Sequence, residues 1–319
     1  MTRSHDAHRH IGRLPAYGFY GGPPVNPDTT ARESVGQLFA DLDREGTERA
    51  LVLPNYGVPD PDVAFALNHL ALEAAQKDDR VRCGLWVSPK ASDAARNDAA
   101  LALAGEEGVA ALKTSFLLGG GVDDPDCAAE LERIFSTAAA LDLVVHVHTS
   151  PGAASDVDQV GRLVERYGAT TRIHLVHLGG GMSGHLKLVG GRFFDWIERG
   201  LKVYTDTSWA IGFAPTWLCR EVQRRGIGHD RVLFATDSPW GRPRRRARPA
   251  RCRHRRPRAD VRALPRELRG PLRNLTSLPP HQPTAAHRGA RHDHHRDHHH
   301  AHRRRDRRAD QGEHGEVDG

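Results

Sequence analysis

Asp6-Ala7-His8-Arg9-His10-Ile11, running into the Gly/Pro-rich stretch 12–27, is the segment on which the fold turns. Six residues of mixed polar and apolar character before a glycine read as a first β-strand. On a strand, residues two apart share a face, so His8 and His10 point the same way. A doubly wound open sheet would follow this strand with a G-x-G-x-x-G turn that cradles phosphate. The glycines and prolines after His10 lack that spacing and make a long loop instead. The chain therefore needs an α/β architecture whose first loop is free to vary.

Downstream, short apolar or β-branched runs at 49–54, 81–87, 109–116, 143–149, 172–178, 201–207 and 231–236 complete eight predicted strands. Amphipathic segments separate them. Val35, Leu38, Phe39 and Leu42 follow the i, i+3, i+4, i+7 spacing of a helix packed on a sheet. Asp124 followed by Pro125 reads as an N-cap and first helical residue. Further helices are predicted near 62–77, 93–104, 155–167, 185–199 and 214–225. Eight strands alternating with helices over roughly 240 residues fit a (β/α)8 TIM barrel. In such a barrel the chemistry belongs at the C-terminal ends of the strands.

Composition divides the chain near Gly241. Residues 242–319 hold 22 Arg, no Lys, 9 Asp+Glu, 11 His and no aromatic residue, a net charge of +13. Residues 1–241 hold 24 basic against 31 acidic residues, a net −7. The whole-chain value of +6 describes neither part. The expected organisation is a barrel domain over 1–241 and a low-complexity basic tail over 242–319, in which the eighth helix is missing or aberrant. Val261, Leu264, Leu268, Leu272 and Leu275 have helical spacing, but Pro265, Gly270 and Pro271 interrupt them. Three readings of the tail stand: a basic arm for acidic partners or nucleic acid, a His-rich metal-buffering tract, or out-of-frame translation of a GC-rich gene. The third is preferred, because the change falls inside a motif-bearing domain. Cys83, Cys127, Cys219 and Cys252 form no C-x-x-C pair and suggest neither a disulfide framework nor a zinc ribbon. No apolar leader opens the chain and no run approaches a membrane span, so a cytoplasmic protein is expected.

Polar residues gather at the predicted strand ends. His146 and His148 share one face of an otherwise apolar strand, where unpartnered imidazoles would be costly. They read either as core histidines bonded to neighbouring strands or as site residues. In the second case His148, nearer the strand end, is the ligand and His146, one layer deeper, supports it. His177, before the run Gly179-Gly180-Gly181, suits proton transfer, whereas His174 differs from it in parity and is expected on the other face. Phe234-Ala235-Thr236-Asp237-Ser238-Pro239 ends an apolar strand in a carboxylate, read as a ligand or as a turn cap. Three imidazoles and a carboxylate make an inner shell suited to Zn²⁺ or a related divalent ion, with a position left for water. Lys113 anchors a substrate carboxylate, bridges two metals if carbamylated, or merely caps strand 4. Arg13 in the first loop and Trp209 and Trp240 after strands 7 and 8 are candidate substrate contacts. With Tyr17, Phe19 and Tyr20, the two tryptophans form an aromatic wall or plain packing.

The motifs Asp6-Ala7-His8-Arg9-His10, Val147-His148-Thr149, His177-Leu178-Gly179-Gly180 and Phe234-Ala235-Thr236-Asp237-Ser238-Pro239 occur in this order. Together they resemble the amidohydrolase superfamily, in particular its amidohydrolase-related branch of metal-dependent hydrolases and decarboxylases similar to aminocarboxymuconate-semialdehyde decarboxylase. The resemblance covers about residues 5–241. It implies that His8, His10, His148 and Asp237 hold one divalent metal, zinc or alternatively manganese, and that His177, with Asp237, acts as catalytic acid/base. The implied reaction is hydrolysis of an amide, ester or lactone, with nonoxidative decarboxylation of a small carboxylic acid as the alternative. The implied partner is a small-molecule substrate. A homodimer is compatible, a membrane is not expected, and a nucleic-acid role through the tail is the remaining, weaker reading.

Overall fold

The computed structural model describes residues 4–12, 34–57 and 60–240. Arg13, Tyr17, Phe19 and Tyr20 lie outside the described residues, as do the expectations for an eighth helix and for the tail after Trp240. Eight strands form the frame: β1 (Ser4–Ile11), β2 (Thr47–Pro54), β3 (Val81–Trp86), β4 (Val109–Thr114), β5 (Val144–Val147), β6 (Arg172–Leu175), β7 (Val203–Asp206) and β8 (Val232–Leu233). They pair in parallel in sequence order. Main-chain bonds from Ala7 to Phe234 at 2.9 Å, from Asp237 to His8 at 2.8 Å and from His10 to Ser238 at 2.8 Å bring β8 and its exit back to β1. The fold is a TIM barrel.

The helices begin and end where local chemistry dictates. Helix α1 (Val35–Glu45) starts at a reciprocal Ser34/Gln37 capping box and stops at Gly46, whose φ of 67° costs a glycine little. Helices α2 (Pro61–Lys77) and α4 (Pro125–Ala140) follow the same rule: Asp60 and Asp124 accept from the second helical N–H, and a proline occupies the first turn. Between them lies α3 (Ala94–Ala102), and α5 (Val157–Tyr167) follows β5. Leu131, Ile134 and Phe135 of α4 belong to one buried cluster with Val145, Leu175 and Val203 of the strands. This apolar shell holds the strand ends in place.

Two expectations change in detail. The single helix over 185–199 is two, α6 (Gly181–Lys187) and α7 (Phe193–Glu198), separated by a wide turn at Leu188–Arg192. Gly190 and Gly191 sit in that turn, and glycine gives a helix little reason to continue. Helix α8 (Ala214–Arg225) then joins β7 to β8. Strand β6 also ends early. His177 and Leu178 adopt φ of 61° and 51°, so the alternation of faces stops before them. His174 consequently faces the barrel interior beside His146, with ring centroids 4.3 Å apart, rather than the opposite face. Among the described residues no helix is long and apolar enough to cross a membrane.

Candidate metal centre

β1 delivers His8 and His10 side by side, as their spacing requires. Their Nε2 atoms are 3.0 Å apart, and each lies 3.1 Å from Asp237 Oδ1 at the exit of β8. All three side chains are buried. Asp237 Oδ1 has no hydrogen-bond partner despite this burial. Two imidazole nitrogens and a carboxylate oxygen aimed at one another are poorly satisfied as they stand, yet this is the spacing of ligands around one cation. Donors on an ion with bonds of about 2.1 Å stand about 3.0–3.4 Å apart. The residues therefore fit a divalent metal, and zinc's preference for nitrogen with one oxygen suits this set.

Asp237 is placed by a second carboxylate. Asp6 accepts from Thr236 Oγ1 at 2.6 Å and Thr236 N at 3.0 Å, so β1 grips the residue before Asp237. Buried Arg9 lies 3.6 Å from Asp6 and 2.7 Å from Glu45 of α1, balancing part of that charge. Burial still raises the Asp6 carboxyl to about 6. The other oxygen of Asp237 accepts from Trp209 Nε1. His10 Nδ1 lies 3.1 Å from Pro54 O, a bond that assigns the proton to Nδ1 and leaves Nε2 as a lone pair.

His177 and His148 close the ring. The His177 imidazole stacks on His8 at 5.1 Å, and His148 meets it edge-on at 5.0 Å. His8, His177 and Asp237 present ligand atoms all within 4.8 Å of one another. His148 is half-buried just beyond β5 and lines the same cavity. Of the two, His177 stands nearer the triangle. The exits of β6, β7 and β8 each place a non-glycine residue in left-handed backbone: His177 at 61°, Trp209 at 51° and Asp237 at 51°. Such backbone is stored strain held by its surroundings, and it concentrates where side chains must converge.

Beneath this ring lies a second, closed set of polar groups. The register aligns Lys113 of β4 with His146 of β5, and His146 with His174 of β6. Lys113 Nζ is 3.3 Å from His146 Nδ1, and His174 Nε2 is 2.9 Å from Asp206 Oδ2 of β7. His8 Nδ1 lies 3.8 Å from the same oxygen, linking the two sets. His146 thus occupies the deeper layer expected of it. Lys113 is fully buried at this level and does not line the cavity.

Burial sets the electrostatics. It drives His8 down to about 3 against the pull of Asp237, and holds His146 and His148 well below the usual imidazole range. His177 is lowered by burial too, with Asp237 opposing. Lys113 is pushed down to about 7 by burial. Burial would raise Asp206, but hydrogen bonds from His174 and His8 outweigh it and keep the carboxylate ionised. Asp237 is likewise held below its ordinary value, the charges facing it from His8 and His177 overcoming desolvation.

A cavity of about 450 Å³ opens over the ring, with His10, His148, His177 and Asp237 at its base. Trp209, Trp240 and Tyr56 contribute its aromatic wall. Trp209 is 56% exposed, an unusual position for a tryptophan with only a packing role. Trp240 is anchored by Nε1 donating to Asn55 Oδ1 at 2.8 Å, and Tyr56 stacks on Trp86 at 4.2 Å. Gly180, at φ 74°, lines the cavity and also lets two loops pack closely. A Cβ there would lie 2.6 Å from Ser150 N, so the loops after β5 and β6 meet only because it has none. Ser208, Asn55 and Tyr56 carry no signal of their own in the sequence, whereas Asp206 falls at a predicted strand end with the other polar residues. The Asp-x-Ser spacing there is what could draw attention to Ser208.

Among solved structures, the chain is similar to the IDCase of Metarhizium anisopliae in its apo form, 18% identical over 77% of this chain and 86% of that chain, with a TM-score of 0.54. That likeness is one of fold. An amidohydrolase of Burkholderia multivorans with bound zinc is 15% identical over 75% and 85% of the two chains, TM-score 0.46. A probable 2-pyrone-4,6-dicarboxylic acid hydrolase of Acinetobacter baumannii is 14% identical over 74% and 84%, TM-score 0.46. No curated protein matches the chain. The model of the amidohydrolase family matches residues 6–269, past the change of composition at Gly241 and over most of the chain. With its motif residues converging at the mouth of a TIM barrel, the chain belongs to the amidohydrolase family.

Proposed function

We propose that the protein is a metal-dependent hydrolase of a small cyclic or planar carbonyl compound, an amide, ester or lactone. The observation that carries this reading is the triangle of His8 Nε2, His10 Nε2 and Asp237 Oδ1, with edges of 3.0–3.1 Å at the base of an aromatic-walled cavity. His8, His10 and Asp237 would hold one divalent ion, with His148 completing the set. When bound, that ion supplies Lewis acidity, polarising a carbonyl oxygen and lowering the pKa of water to about 7.

The chain's own residues do the rest. His177, kept neutral by burial, accepts the proton that the attacking water sheds and returns it to the departing nitrogen or oxygen. Asp237 keeps one oxygen engaged by Trp209, so its other oxygen stays aimed at the two imidazoles. Trp209, Trp240 and Tyr56 sandwich a flat substrate and exclude bulk water from the reacting carbonyl. Lys113, buried below the floor, supports His146.

The test is zinc analysis of the purified full-length chain, followed by turnover of a panel of small lactones, esters and amides before and after chelation. About one zinc per chain, with hydrolysis lost on chelation and restored by zinc, is expected. Hydrolysis indifferent to chelation would overturn the reading, as would release of CO₂ from carboxylic acids without hydrolysis of any panel member.

A further inference from the structure

Ser208 lies two residues beyond the end of β7, outside every motif that points to the metal. Its hydroxyl nevertheless sits between two groups of consequence. On one side it donates to Asp206 Oδ1. The same oxygen also accepts from the main-chain N–H of Ser208 at 2.8 Å and of His177 at 3.3 Å. An oxygen that receives three donors is an acceptor with no proton to give. On the other side, Ser208 Oγ is 2.8 Å from His177 Nδ1. A hydroxyl has one proton, and here it points at the carboxylate, so toward His177 the oxygen can only accept.

We infer that Ser208 is a positioning residue that holds the proton of His177 on Nδ1 and leaves Nε2 as a lone pair on the cavity side. The inference rests on the reading of His177 as the acid/base. The direction of every bond in the series follows from Asp206, the one group that cannot donate: Asp206 fixes Ser208, and Ser208 fixes His177. Rotation of the imidazole is blocked by the same contact and by stacking on His8 at 5.1 Å. The backbone bond from His177 N to Asp206 also helps hold His177 in its left-handed conformation, at φ 61°. Ser208 and His177 are both buried, so no solvent hydroxyl competes for Nδ1.

The experiment is ¹⁵N-histidine NMR of the full-length, zinc-loaded chain, reading which nitrogen of His177 bears hydrogen, with the His177 signals assigned by their loss in His177→Gln. The wild type is expected to show Nδ1 protonated and Nε2 unprotonated. Ser208→Ala should lose that preference and retain zinc, whereas Ser208→Thr, which keeps the hydroxyl, should restore it. On a substrate found by the panel above, Ser208→Ala should lower kcat about tenfold with KM nearly unchanged. An Nε2–H tautomer in the wild type, or an Nδ1–H tautomer unchanged in Ser208→Ala, would overturn the inference. Failure to bind zinc would instead sink the hydrolase reading, and the tautomer of the metal-free chain would still decide the role of Ser208.

Discussion

The barrel carries two stacked sets of imidazole and carboxylate, built from largely the same residue types at different depths. Of the upper set, His8, His10, Asp237, His148 and His177, all but His8 line a cavity. The lower set, Lys113, His146, His174 and Asp206, is buried and lines no part of that cavity. Both sets leave buried atoms without a hydrogen-bond partner, Asp237 Oδ1 in the upper and His146 Nε2, His174 Nε2 and Asp206 Oδ2 in the lower. The upper set differs in bringing two imidazole nitrogens within 3.1 Å of one oxygen of a carboxylate that lines the cavity. Chemistry of the residue does not separate a ligand from a support. What separates the two sets is depth in the barrel and access to the cavity. His8 belongs to both, with Nε2 3.1 Å from Asp237 and Nδ1 3.8 Å from Asp206.

That division can be broken in order of effect. Replacing His8, His10 or Asp237 with Ala should abolish zinc binding and hydrolysis, measured by metal content and turnover. His148→Ala should weaken zinc retention while His177→Ala keeps the metal and loses turnover by about 100-fold or more. The reverse outcome would exchange their roles. Asp206→Asn should weaken zinc by about 10–100-fold, because His8 loses the carboxylate that orients its Nδ1, while residues at the cavity wall stay in place.

The buried titratable groups of both sets also govern stability. Lys113 has a folded pKa of about 7, below its ordinary value of 10.5. The folded state therefore disfavours the proton, and stability should rise as pH goes from about 7 toward 10.5. Lys113→Met should flatten that rise and stabilise the protein at pH 7 by on the order of 2 kcal/mol in urea denaturation. The buried histidines act at lower pH. With His8 at about 3 and His146, His148 and His177 all lowered, the metal-free chain should lose stability steadily as pH falls from 6.5, because the unfolded state takes up protons first. Unchanged denaturation midpoints between pH 7 and 5 would contradict this. The smallest effect belongs to Trp209→Phe, which keeps the wall but removes one hydrogen bond to Asp237. A loss of about 1 kcal/mol, read as a several-fold drop in kcat/KM, is expected.

Much of this architecture was legible in the residues themselves. The His8/His10 pair, the alternation of strands and helices, and the carboxylate after β8 all depend on local periodicity, which a sequence displays directly. His174 was misjudged because counting parity assumes a continuous strand, and the backbone leaves β6 before His177 in a left-handed turn. Ser208 is silent for a different reason, and Asp206 shows only its place at a strand end. A carboxylate two residues before a serine acquires meaning only from what crosses it in space, and His177 arrives there from another strand. The need for Gly180 is equally invisible in the sequence, since it comes from a loop of another strand passing against it.

On the proposed function, the upper set and not the lower one holds the metal. Anomalous diffraction at the zinc edge from crystals of the zinc-loaded full-length protein tests it most directly. A single peak bounded by His8, His10 and Asp237 is predicted, whereas a peak among His146, His174 and Asp206 would contradict the account.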